Sequence, residues 1–182
     1  MMLLNRFGSV RTRTLAISLG VVLSFGFAQA ASAADELPRE AVLPLALASK
    51  AAAAAQEKCK QDGYRVTVAV VDRAGILRAL LRGDGAAPHS VDSSTKKAYT
   101  AASLRLPTSE YVDMVAKNPA AQGLRDISDK VLILGGGLPI EIGGEVVGGI
   151  GVGGAPGGHL DAACAQAGLD SIGAAPKVPA AK

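Results

Sequence analysis

Residues 135–158 read GGGLPIEIGGEVVGGIGVGGAPGG, so glycine fills half of an otherwise apolar stretch. Glycine at that density supplies positive φ at turns, or lets another backbone or a flat ligand come close. Two readings compete. Residues 149–154 (GIGVGG) match the GxGxxG dinucleotide fingerprint. That fingerprint needs the first strand of a βαβ unit and an acid about 20 positions on, at a second parallel strand. Only one helix and a tail follow here, and Asp170 has no strand to sit on. Read with its neighbours, the segment is a hairpin: residues 138–142 and 146–152 pair across Gly143-Gly144, and a last helix covers 158–168. The side-chain-poor surface of this hairpin is expected to receive a neighbouring subunit or a flat macrocycle.

The rest of the chain supplies partners for that hairpin. A helix over 44–61 starts at Pro44, is rich in alanine, and ends at Gly63. Residues 65–71 (RVTVAVV) form a strand, and the turn Asp72-Arg73-Ala74-Gly75 returns the chain as a second strand over 76–82. A loop over 83–90 carries His89, one of two histidines. Asp92 or Ser93 caps a helix running to about Arg105, and Ser109–Ala116 forms another after Pro107. Asn118-Pro119 starts one further turn, and the apolar run Val131–Leu134 reads as a buried strand. The order α-ββ-α-α-βββ-α gives an α+β fold in which helices flank a five-stranded antiparallel sheet.

Arg6, Arg11 and Arg13 precede an apolar run over 15–27, and two small-x-small cleavage sites follow at 28–33. This is the pattern of a secretory signal peptide at 1–33, too short for a comfortable membrane span. The single domain then covers 34–172, and a Pro/Ala/Lys tail over 173–182 reads as disordered. Without the leader the chain holds sixteen basic and sixteen acidic residues, and it has no tryptophan. Neither a basic stripe nor a stacking platform remains, which disfavours nucleic acid. In an exported chain Cys59 and Cys164 can form a disulfide, or they can stay two small core residues.

Six segments in order resemble the GlcG/HbpS family of haem-binding and haem-degrading proteins, related to the PduO C-terminal domain. They are VAVVDRAGIL at 68–77, RGDGA at 82–86, KKAYTA at 96–101, GGGLPI at 135–140, GEVVGGIGVGGA at 144–155 and ACAQAGL at 163–169. The resemblance implies a five-stranded antiparallel sheet with flanking helices, homo-oligomeric assembly, and non-covalent b-type haem as cofactor. It also shows a departure: Asp161-Ala162 stands where family members often have an Asp-Glu pair. Under this reading His89 is the axial ligand to haem iron, and Tyr99 is a phenolate candidate. Lys97 and Arg82 stand near the propionates, with Thr100 beside the same loop. Asp72 and Gly75 are turn residues, and Glu141 and Glu145 are solvated strand ends. No enzyme motif stands out. The expected function is an exported protein that sequesters haem or slowly degrades it. The rival is a sensor or accessory module that acts through protein contacts without haem.

Overall fold

The computed structural model describes residues 39–176. The expected signal peptide and residues 177–182 of the tail lie outside them. Helix α1 (Leu45–Gln61) leads into strands β1 (Thr67–Asp72) and β2 (Leu77–Arg82). Helices α2 (His89–Leu104) and α3 (Thr108–Lys117) and a 3-10 turn (Pro119–Arg125) follow. Strands β3 (Gly137–Ile142) and β4 (Glu145–Gly153) and helix α4 (Gly158–Ser171) complete the domain. All neighbours are antiparallel in the order β2-β1-β4-β3. The first hairpin turns as its sequence requires: Asp72 Oδ1 accepts from the amides of Ala74 and Ile76, both at 3.0 Å. Gly143 and Gly144 close the second hairpin with φ of 64° and 82°, the positive values that a two-residue turn of this twist needs.

The two sheet faces differ sharply in chemistry. Val68, Val70, Leu138, Ile140, Ile150 and Val152 point to one side and form the main core with α1 and α4. Those helices meet through small residues, Ala51 and Ala55 against Gly168, whose missing Cβ would stand 2.7 Å from the Ala51 carbonyl. Cys59 and Cys164 form a disulfide across this pair, with Cα atoms 5.4 Å apart and a sequence separation of 105.

On the other face Gly149, Gly151 and Gly153 alternate with those core residues, as the two-residue period of a strand demands. Helix α2 lies directly on them. A Cβ at Gly149 would overlap the Ala98 carbonyl, and one at Gly151 the Ser94 carbonyl. The glycine face is therefore covered by the chain's own helix and buried. The expectation that it receives a macrocycle or another subunit is corrected: its side-chain-free surface is used by α2.

Three further expectations change. Among the described residues the sheet has four strands, not five. Val131–Leu134 is irregular: Val131 and Ile133 pack with Tyr111 and Val115, while the Leu132 amide donates to Thr100 Oγ1 at 2.8 Å. The run is apolar because it covers a side cluster, not because it pairs in the sheet. Helix α2 starts at His89, three residues before Asp92, because Pro88 already holds helical angles (φ −54°, ψ −42°). Residues 173–176, expected in the tail, are packed: Ala174 is buried, and Ala175 exchanges backbone hydrogen bonds with Glu141 at 2.8 and 2.9 Å.

Three outcomes check this packing. Gly151→Val, which must displace helix backbone, is expected to lose about 3 kcal/mol or more in urea melts. Gly123→Ala, with nothing within 4 Å, stays within about 0.5 kcal/mol. Cys59→Ser with Cys164→Ser is expected to lose about 2–5 kcal/mol in the same melts.

Candidate functional site

Docking α2 on glycine sorts its residues. Ser90, Ser94, Lys97, Ala98 and Thr100 are buried, while His89, Asp92 and Lys96 are exposed and Tyr99 is half-buried. Positions 89, 92, 96 and 99 step by three and four, so they share the outer face of the helix.

His89 stands in the first helical turn, not in the loop the sequence suggested, and its imidazole has no hydrogen-bond partner among the described residues. The loop before it is closed by Arg82, whose Nε and Nη2 both donate to the Ala86 carbonyl, at 3.2 and 2.6 Å. That pair of hydrogen bonds folds the RGDGA segment back on itself, and Thr67, which faces Arg82 in the sheet, bonds to Ser90 beside His89, so Arg82 and His89 stand at one end of the sheet. Arg82 also lines a groove of about 710 Å³ between α1 and β2, together with Gln56, Lys60, Tyr64, Arg65 and Leu81.

Lys97 and Thr100 point the other way. Lys97 Nζ donates to Asp161 Oδ2 at 2.7 Å and to the Val152 carbonyl at 2.9 Å. The ion pair is almost fully buried, with 2% and 4% of the two side chains exposed. Asp161 Oδ1 accepts from the Ala155 amide at 3.1 Å. Burial pushes the Asp161 carboxyl above its usual range, while the Lys97 ammonium and the Ala155 N–H pull it back. Gly136, at φ 111°, leaves room for the pair, because a Cβ there would stand 2.6 Å from the Asp161 Cβ. Lys97 is thus a buried tie from α2 to the start of α4, and the expectation of a propionate contact is corrected. Thr100 is committed as well: it donates to the Lys96 carbonyl at 2.7 Å and accepts from Leu132.

Tyr99 lies ten residues beyond His89, about 15 Å along the helix axis, so one iron cannot take both donors from one chain. Its ring packs over Gly75, where a Cβ would stand 2.6 Å away. A separate pocket of about 270 Å³ opens beside it, lined by Gly75, Asp92, Thr95, Lys96, Tyr99 and Lys130. Of the five candidate residues, then, Arg82 and His89 share one end of the sheet, and neither touches the other three.

Sequence reasoning missed Asp161 as the partner of Lys97, and it missed Lys60, Tyr64 and Arg65 on the groove. The alternation of β4 carried a usable signal, since it places a helix over the glycines and so turns Lys97 inward. Among the described residues no group of three or more His, Cys, Asp or Glu could hold a metal ion. No helix there is long and apolar enough to cross a membrane.

A family model described as haem degrading protein HbpS-like matches residues 43–170. The chain belongs to this HbpS-like family. Protein GlcG of Escherichia coli K12 is 35% identical over 111 residues, covering 61% of this chain and 81% of GlcG. A double mutant of Streptomyces reticuli HbpS is 47% identical with a TM-score of 0.71, over 75% of this chain and 91% of that one. A PduOC–haem complex is 28% identical with a TM-score of 0.68, over 74% of this chain and 98% of that one. The HbpS-like fold thus spans the whole architecture, from the approach to α1 through α4.

Breaking the buried pair tests its role. Lys97→Met and Asp161→Leu are each expected to lose about 3–5 kcal/mol, because each strands a charge in the core. The double variant is expected to lose less than either single one, measured by urea melts in a double-mutant cycle.

Proposed function

We propose that this chain is an exported haem-binding protein that sequesters haem, or slowly degrades it in the presence of peroxide. The observation that carries the reading is the match of residues 43–170 to a family described as haem degrading. A PduOC–haem complex of the same fold supports it.

Haem asks a protein for an iron donor, apolar walls and cations for its propionates. Groups of each kind stand toward the Arg82–His89 end, with His89 outside the groove lining. His89 offers an unpaired imidazole, Lys60, Arg65 and Arg82 line the α1–β2 groove, and Val66, Leu80 and Leu81 give it apolar wall. In this reading His89 holds the iron, and Arg82 and Arg65 meet the propionates. Tyr99, too distant to share that iron, takes no part. Bound haem would supply the redox chemistry, and the chain's residues would orient it and govern access.

The signal-peptide pattern supports export, as does the Cys59–Cys164 disulfide, since such bonds persist in oxidising compartments. Homo-oligomeric assembly is part of the proposal. It is supported by the outer edge of β2, which has no strand neighbour among the described residues, and by the exposed Ile76, Leu77 and Leu81 beside it. The same edge favours the rival reading, an accessory module that works through protein contacts alone.

Haemin titration of the protein without residues 1–33 separates the two. A saturating Soret shift at micromolar haemin is expected, and His89→Ala should abolish or displace it. No spectral change in the parent protein would remove the haem reading.

A further inference from the structure

The pocket beside Tyr99 runs along the outer face of α2 from Asp92, three residues beyond His89, to Tyr99, ten residues beyond it. It is built from two elements and a turn. Helix α2 gives Asp92, Thr95, Lys96 and Tyr99, the β1–β2 turn gives Gly75, and Lys130 comes from the segment before β3. Its charges are unspent. Neither Lys96 nor Lys130 has an acidic partner among the described residues, although Asp92 sits four positions before Lys96 on the same helix. The Lys130 ammonium lies 5.5 Å from the centre of the Tyr99 ring, held by the electrostatic attraction of a cation to an aromatic face. The Tyr99 hydroxyl is unpartnered too.

We propose that this pocket binds a small organic carboxylate that also carries a hydroxyl or ammonium group. Two ammonium groups and a phenol are donors to a carboxylate. Asp92 is an acceptor only, so it suits a donor group on the same molecule. A volume of about 270 Å³ admits a molecule of amino-acid size, and the Tyr99 ring with bare Gly75 gives it a flat wall. Phosphate suits the pocket less well, because no arginine lines it, and Asp92 opposes a second negative charge.

Backbone amide NMR of the haem-free protein lacking residues 1–33 tests this, with L-serine, acetate and inorganic phosphate as probes. L-serine should shift the amides of Gly75, Lys96, Tyr99 and Lys130 saturably, with a dissociation constant on the order of 1 mM. Acetate should bind at the same amides more weakly. Lys130→Met should weaken both by about tenfold or more, the loss of one charge-assisted contact. Asp92→Asn should weaken L-serine alone. Absence of saturable shifts at these amides would overturn the proposal. So would phosphate binding tighter than both carboxylates, or Lys130→Met binding as the parent does. None of these readouts involves haem, so they fail or hold apart from the haem titration.

Discussion

Everything that positions chemistry in this domain depends on the seating of α2 against the glycines of β4. A helix that packs through side chains stands well off a sheet, but here Ala98 and Ser94 carbonyls occupy the volume of missing Cβ atoms at Gly149 and Gly151. The contact is backbone against backbone. It leaves little freedom for the helix to slide or rotate, because a side chain on either partner fills the gap. Thr67 on β1 adds to it by sharing a hydrogen bond of 2.7 Å with Ser90. The outer face of α2 is therefore presented in a fixed direction.

That rigidity explains how a buried lysine is tolerated. Lys97 faces the sheet because its neighbours on the helix must, and its ammonium would be stranded there without an acid. Asp161 meets it from the first turn of α4, and the Val152 carbonyl accepts a second N–H hydrogen bond from it. The pair joins a helix on one side of the sheet to a helix on the other, while the disulfide joins α4 to α1. Three helices are tied to one another around a four-stranded sheet. What remains free to bind is the outer face of α2, the loop closed by Arg82, and the groove beside α1.

Much of this was legible in the sequence, and the reasons for the rest are physical. Alternating β-branched residues, paired turn glycines and an alanine-rich helix are local signals, and they placed six of the eight main elements closely. Val131–Leu134 misled because an apolar run shows that side chains are buried, not what buries them; here α3 does, and the backbone bonds to Thr100. Lys97 misled because its partner lies 64 positions away, beyond any spacing rule. The glycine segment was read correctly as a hairpin. What covers it was not visible locally, since a bare sheet face suits a helix, a subunit or a macrocycle equally well. The family resemblance was secure for the same reason that the site was not: the shared segments are largely turns and packing positions.

The proposed haem site at the Arg82–His89 end lies outside a sheet sealed by α2. Hydrogen exchange of the protein, with and without haemin, tests this most directly. Amides over residues 82–92 are predicted to gain protection on adding haemin, while those of β4 stay equally protected in both states. Protection that changes in β4 and not at 82–92 would contradict it, because the glycine face would then be the binding surface.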